Sequence, residues 1–173
     1  VPAEPVGRAG TGVSARLALV GAPGSGKSSV AAELAQRWQC PIRDTDIDYG
    51  SPVSEAIIED EPAFRQAEEA LVLAALAETD AVVTVGSGAT TAPVLQALRD
   101  VPVVWLEIGL AEAARRTGLS GMRPMSMGNV RAQLHQMLQE RAAVYDSVAD
   151  LRVLTDGRTP PEVADEIEKW ETR

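Results

Sequence analysis

One stretch, Leu17 to Val30, restricts what this chain can fold into more than any other: it reads LALVGAPGSGKSSV. An apolar run (Leu17, Ala18, Leu19, Val20) stops at Gly21, and Gly26-Lys27-Ser28 opens a run of helix formers, so G-x-x-x-x-G-K-[ST] is met at every defined position. Gly21, Gly24 and Gly26 carry no Cβ and can take positive φ, which lets successive N–H groups turn inward at the start of the helix. That helix end adds about half a positive charge toward a bound anion. Pro23, Gly24, Ser25, Gly26, Lys27, Ser28 and Ser29 therefore read as a phosphate-binding loop. Lys27 supplies a point charge to the β and γ phosphates, the Ser28 hydroxyl is placed to ligate Mg²⁺, and Ser29 is in reach of the α-phosphate. A chance glycine turn before a helix would meet the same pattern in roughly 1% or fewer of chains this long.

The rest of the chain limits what such a loop can serve. A length of 173 residues with 45% hydrophobic content is one domain's worth. No run approaches the roughly eighteen apolar residues of a membrane span, and residues 1–15 lack the apolar core of a secretory signal and read as a disordered leader. A lone Cys40 forms no internal disulfide and suits a reducing, cytoplasmic setting, as a small buried hydrophobe rather than a catalytic thiol. The net charge of −9 argues against nucleic acid or anionic membrane as a partner, and a monomer is the expected state. A polyanionic ligand then needs a locally basic site, which makes particular arginines the residues to follow.

Strands and helices alternate from end to end, as in a parallel sheet covered by helices on both faces. Strands are expected at 16–20, 42–43, 81–85, 102–108 and 151–154. Helices are expected at Lys27 to Trp38, Val53 to Glu61, Pro62 to about Glu78, Thr91 to Leu98, Ala111 to Thr117, Asn129 to about Tyr145 and, after a turn from Thr155 to Pro160, on to Trp170. The second long helix should bury Phe64, Ala67, Leu71 and Ala74/Ala75. Asp44-Thr45-Asp46-Ile47-Asp48 is a solvated acidic turn when read alone. Beside a phosphate loop its carboxylates suit the waters of a hard cation and the proton of a hydroxyl nucleophile. Gly86-Ser87-Gly88, closing the central strand, lets backbone approach a ligand. Residues 118–128, rich in Gly, Ser and Met around Arg123-Pro124, form either an exposed loop or a mobile lid. His135 is read as a surface or packing residue.

With these residues in order, the chain resembles the shikimate kinases from Arg16 to Trp170. The resemblance rests on GAPGSGKSS, Asp44-Thr45-Asp46, Phe64-Arg65-x-x-Glu68, Gly86-x-Gly88, Arg115-Arg116-Thr117-Gly118, Arg123-Pro124, Glu140-Arg141 with Tyr145, and Arg158-x-Pro160. It implies a three-layer α/β/α P-loop kinase with a five-stranded parallel sheet in the order 2-3-1-4-5, a lid at 118–128 and a small substrate lobe at about 47–80. The implied reaction moves the ATP γ-phosphoryl group to the 3-hydroxyl of shikimate.

The same resemblance implies the site. Arg65 and Arg141 would hold the shikimate carboxylate, with Glu68 orienting Arg65. Asp46 would bind the ring hydroxyls and accept the proton of the attacking one, beside Gly86, Ser87 and Gly88. Asp44 would hold Mg²⁺ through water while Ser28 ligates it directly. Arg123 would meet the transferring phosphoryl group, and Arg116 with Arg158 and Pro160 would sandwich the adenine. Lys27, Asp46 and Arg123 form the expected catalytic set. Two features depart from the family. Ser87 stands where a middle glycine is usual, and a positive φ there would cost about 1 kcal/mol or more. The segment from Asp46 to Phe64 is also several residues short. Two further readings therefore stand beside the first: a kinase of another small polyol or hydroxy acid, and a nucleotide-binding protein with impaired transfer.

Overall fold

The computed structural model describes residues 14–50, 52–118 and 124–173. Arg123, Ser51 and most of the expected leader lie outside them. Of that leader, Ser14 and Ala15 are described; Ala15 is buried, and its N–H donates to the Leu76 carbonyl at 2.9 Å.

Five strands, β1 (Leu17–Val20), β2 (Ile42–Asp44), β3 (Val82–Thr84), β4 (Val103–Glu107) and β5 (Leu151–Leu154), pair in parallel in the order β2-β3-β1-β4-β5. Among the described residues seven helices accompany them: α1 (Lys27–Trp38), α2 (Thr45–Asp48), α3 (Val53–Leu76), α4 (Ala92–Leu98), α5 (Leu110–Arg116), α6 (Pro124–Asp146) and α7 (Pro160–Glu171). Alternation along the strands sends side chains to two apolar layers. Ala18, Val20, Val83, Val103 and Trp105 pack with Val72, Leu76 and Val94 on one face, while Leu17, Leu19, Val82, Val104 and Leu106 pack with Val30, Leu34, Val163 and Ile167 on the other. A sheet buried on both faces needs near-continuous apolar strands, as β1 and β3 are.

Three expectations are corrected. The two helices around Pro62 form one helical run, α3, with a kink at Asp60 (φ −157°, ψ 87°). Asp60 caps the second part, its carboxylate accepting the Ala63 N–H at 3.0 Å, so Pro62 lies past the first position of that helix. The buried face of α3 is turned by one residue: Phe64, Glu68, Val72, Ala75 and Leu76 are buried, whereas Ala74 is exposed. Helix α6 starts at Pro124 rather than Asn129, so residues 124–128, read as loop or lid, are helical. Among the described residues no helix is long and apolar enough to cross a membrane.

Candidate active site

In a parallel sheet the loops that leave the strands' carboxyl ends share one rim, and four of those loops carry the residues singled out above. After β1, Gly24 (φ 80°) and Gly26 (φ 92°) hold left-handed conformations that fold the backbone back toward the start of α1. A Cβ on Gly24 would stand 3.3 Å from Thr117 and 3.4 Å from Arg116. Lys27 is buried, and its Nζ donates to the carbonyls of Gly21 at 2.7 Å and Ala22 at 3.3 Å. Burial lowers its pKa to about 8, opposed by the nearby charges of Asp46 and Asp44 and assisted by that of Arg141. Ser28 and Ser29 are exposed on the first turn of α1. Ser25 is wholly buried, its Oγ has no hydrogen-bond partner, and its N–H donates to the Ala22 carbonyl at 3.1 Å.

After β2 the chain turns at once into α2. Asp44 caps this helix, with Oδ1 accepting from the N–H groups of Asp46 at 3.2 Å and Ile47 at 3.4 Å. Its other oxygen, Oδ2, is buried with no partner. Asp46 follows two residues on, at the open side of the site, and its pKa is raised: partial burial and the charge of Asp44 favour the neutral acid, against the pull of Lys27.

After β3, Gly86-Ser87-Gly88 runs tight against the acceptor-side charges. A Cβ on Gly86 would stand 2.7 Å from Glu68 Oε1 and 3.0 Å from Asp46 Oδ1, and one on Gly88 would overlap Arg65 Nη1. A side chain at either position would therefore displace the charged groups beside it. Among the described residues only Gln39 and Asp80 are non-glycine residues with positive φ, so the strain anticipated at Ser87 does not arise. The Ser87 carbonyl accepts the Tyr145 hydroxyl at 3.0 Å.

One arginine reaches this turn from α3, and a second stands near Lys27 and Tyr145 from α6. Arg65, on α3, donates to Glu68 at 2.8 Å and to Glu61 at 3.4 Å, as expected for a guanidinium oriented by Glu68. Arg141, on α6, contributes to the fields at Lys27 and Tyr145, which places it on the same rim. Its Nη1 is buried without an acceptor.

Arg116, at the end of α5, donates to the Gly24 carbonyl at 3.3 Å, the Thr155 carbonyl at 2.8 Å and Glu112 at 2.6 Å. It thereby joins the phosphate loop to the segment after β5. In that segment Arg158 donates to Glu166 and to the Glu162 carbonyl, both at 2.7 Å, and Pro160 begins α7. Cys40 lies away from this rim and burial raises its thiol pKa, as befits an inert thiol; His135 is exposed.

Two contributors escaped the sequence reading as contacts: Thr45, between the aspartates, and Tyr145, near the end of α6. Thr45 is buried and bonded to the β3 end. Both act across long chain separations, which periodicity does not encode. A threonine placed between two acids at a strand end was the only available signal for the first.

Among the described residues no group of three or more His, Cys, Asp or Glu gathers to hold a metal. The rim can still take a hydrated Mg²⁺, which needs only one or two protein oxygens beside substrate phosphates. The orphaned Asp44 Oδ2 and the accessible Ser28 hydroxyl fit that requirement.

Comparison with known proteins bears directly on this arrangement. The shikimate kinase family model matches residues 23–171. Among curated relatives, shikimate kinase of Saccharopolyspora erythraea is 44% identical over 156 residues, covering 86% of this chain and 89% of that one. That of Thermobifida fusca is 42% identical over 157 residues, covering 87% and 91%. Among solved structures, shikimate kinase from Acinetobacter baumannii in complex with shikimate superposes with a TM-score of 0.80 at 24% identity, over 91% of this chain and 92% of that one. This last likeness establishes the fold. A family model running from the phosphate loop into the final helix, and close relatives matched over most of both lengths, show that the chain belongs to the shikimate kinase family.

Proposed function

We propose that this chain transfers the γ-phosphoryl group of ATP to the 3-hydroxyl of shikimate, giving ADP and shikimate 3-phosphate. The observation that carries the reading is the buried, unpartnered Nη1 of Arg141 on the same rim as Lys27 and Asp46. A buried donor without an acceptor costs about 1–3 kcal/mol, which a bound carboxylate would recover. Arg65, already oriented by Glu68, supplies the second fork of that clamp.

On this reading the loop from Pro23 to Ser29 cradles the phosphates. Lys27 exchanges its two carbonyl partners for phosphate oxygens, and Arg116 with the Arg158–Pro160 segment flanks the adenine. Asp46 accepts the proton as the hydroxyl oxygen forms its bond to the γ-phosphorus and the bond to the ADP oxygen breaks. Its raised pKa makes it a stronger base than a free aspartate. Gly86, Ser87 and Gly88 offer the acceptor ring a bare backbone. Asp44 and Ser28 are the residues that would hold Mg²⁺, whose charge offsets that of the phosphates. Arg123 is assigned to the transferring group on the family resemblance.

The test is a coupled assay of ADP release with shikimate, gluconate and glycerol offered separately, with and without Mg²⁺. Release that needs both Mg²⁺ and shikimate is expected. Tight ATP binding with no stimulation by shikimate would overturn the assignment. Stimulation by another of the three instead would move the acceptor.

A further inference from the structure

Strand β2 ends at the point where its side chains begin to matter. The last residue pair between β2 and β3 is Asp44 with Thr84; beyond it the chain bends into α2 and its backbone leaves the sheet. The hydroxyl of Thr45 takes over the pairing that the backbone gives up. Its Oγ1 donates to the Thr84 carbonyl at 3.1 Å and accepts the Gly86 N–H at 3.0 Å. Thr45 is 3% exposed and Gly86 is buried, so neither bond has water as a ready substitute.

These two bonds join the segments that must agree in position for transfer to occur. On one side, Thr45 is flanked by Asp44 and Asp46, and the Asp46 carboxylate already stands 3.0 Å from where a Gly86 Cβ would be. On the other, Gly86 leads into the turn whose next carbonyl is held by Tyr145 and whose Gly88 abuts Arg65. Among the described residues no other side-chain hydrogen bond ties α2 to the turn. A slip of a few tenths of an ångström between α2 and the turn would move the base relative to the hydroxyl it must deprotonate.

We propose that Thr45 is a positioning residue for phosphoryl transfer, its hydroxyl setting the spacing between Asp46 and the Gly86–Gly88 turn. The proposal rests on the reading of the site given under the proposed function. Thr45 touches no reacting atom in this role; it acts through Gly86 and Asp46.

Thr45→Val keeps the branched shape and removes the hydroxyl, Thr45→Ala removes both, and Thr45→Ser keeps the hydroxyl. Full-length wild-type and variant chains would be compared for kcat, for KM of ATP and of shikimate, and for exchange of the Gly86 amide hydrogen by NMR, each well below its own melting temperature. Thr45→Val should lose about 30-fold or more in kcat, as a small misplacement of reacting groups does, while KM for ATP stays within about twofold. Thr45→Ser should recover kcat to within about threefold, and the Gly86 amide should be protected in wild type and Thr45→Ser but not in Thr45→Val. A kcat for Thr45→Val near wild type, or a parallel loss in KM for ATP, would overturn the proposal. Should Thr45→Val fail to fold, Thr45→Ala is held to the same criteria, and the proposal falls if Thr45→Ser shows neither wild-type kcat nor Gly86 protection. A wild-type chain with no shikimate-dependent turnover would instead strike the underlying reading and this proposal with it.

Discussion

The Lys27 ammonium has exchanged bulk water for two carbonyl oxygens, and burial brings its pKa to about 8 from 10.5. A folded-state pKa below the unfolded one means that the unfolded chain binds more protons between those values. Stability is therefore depressed below about pH 8 and regained as pH climbs toward 10.5. Lys27→Met should raise the melting temperature of the unliganded chain at pH 7 by an amount on the order of a few degrees. The advantage should shrink toward pH 10, and ATP should no longer stabilise the variant. Differential scanning calorimetry at pH 7, 8.5 and 10 checks both the sign and the trend. At this scale much of the site was legible, because Lys27, Ser28, Asp44 and Asp46 belong to short local patterns whose chemistry is carried by residue type. The cost set on a positive φ at Ser87 is not incurred, because the flanking glycines answer to crowding by Glu68, Asp46 and Arg65 and not to unusual φ.

Helix α3 and the turn after β3 meet through Arg65 and Gly88. A Cβ at Gly88 would fall on Arg65 Nη1, the far end of a flexible side chain, so Gly88→Ala should displace the guanidinium at little expense to the fold. KM for shikimate should rise about tenfold or more with KM for ATP nearly unchanged, since one charged hydrogen bond contributes about 1.5–3 kcal/mol. Steady-state kinetics with each substrate varied in turn measures the split. The same helix shows where pattern reading stops. Its apolar residues suggested a face through Phe64, Ala67, Leu71 and Ala74/Ala75; Phe64 and Ala75 are buried, yet Glu68 is buried with them and Ala74 exposed, because the carboxylate reaches Arg65 and passes close to Gly86. A site inside a helix's buried stripe rotates that stripe away from the purely apolar choice. By contrast α1 and β5 fall at the expected boundaries, since each is fixed by local signals: a glycine loop before one and turn residues around the other.

At the scale of the molecule, the described groups assigned to ligands follow the carboxyl ends of β1, β2, β3 and β5 or reach that rim from α3, α5 and α6. The opposite rim is held by unremarkable bonds such as that of Asp150, whose Oδ2 accepts the Val103 N–H at 2.9 Å while its own N–H donates to the Val103 carbonyl at 2.8 Å. Asp150→Ala should cost about 1 kcal/mol, lowering the melting temperature by roughly 2–4 °C without altering kcat or either KM. Parallel thermal and kinetic measurements on one preparation decide this. Alternating elements with short connections made a parallel sheet covered on both faces legible, whereas its strand order came with the family resemblance; the meeting of residues from four loops at one edge follows from that order and not from any single motif.

The separation of the two rims also has a use at the bench. Changes that toughen the chain against heat can be collected on the turns beneath the sheet, while those that retarget it toward other acceptors are made above. With the strands as the only spacer between distant positions, the two collections should combine by simple addition.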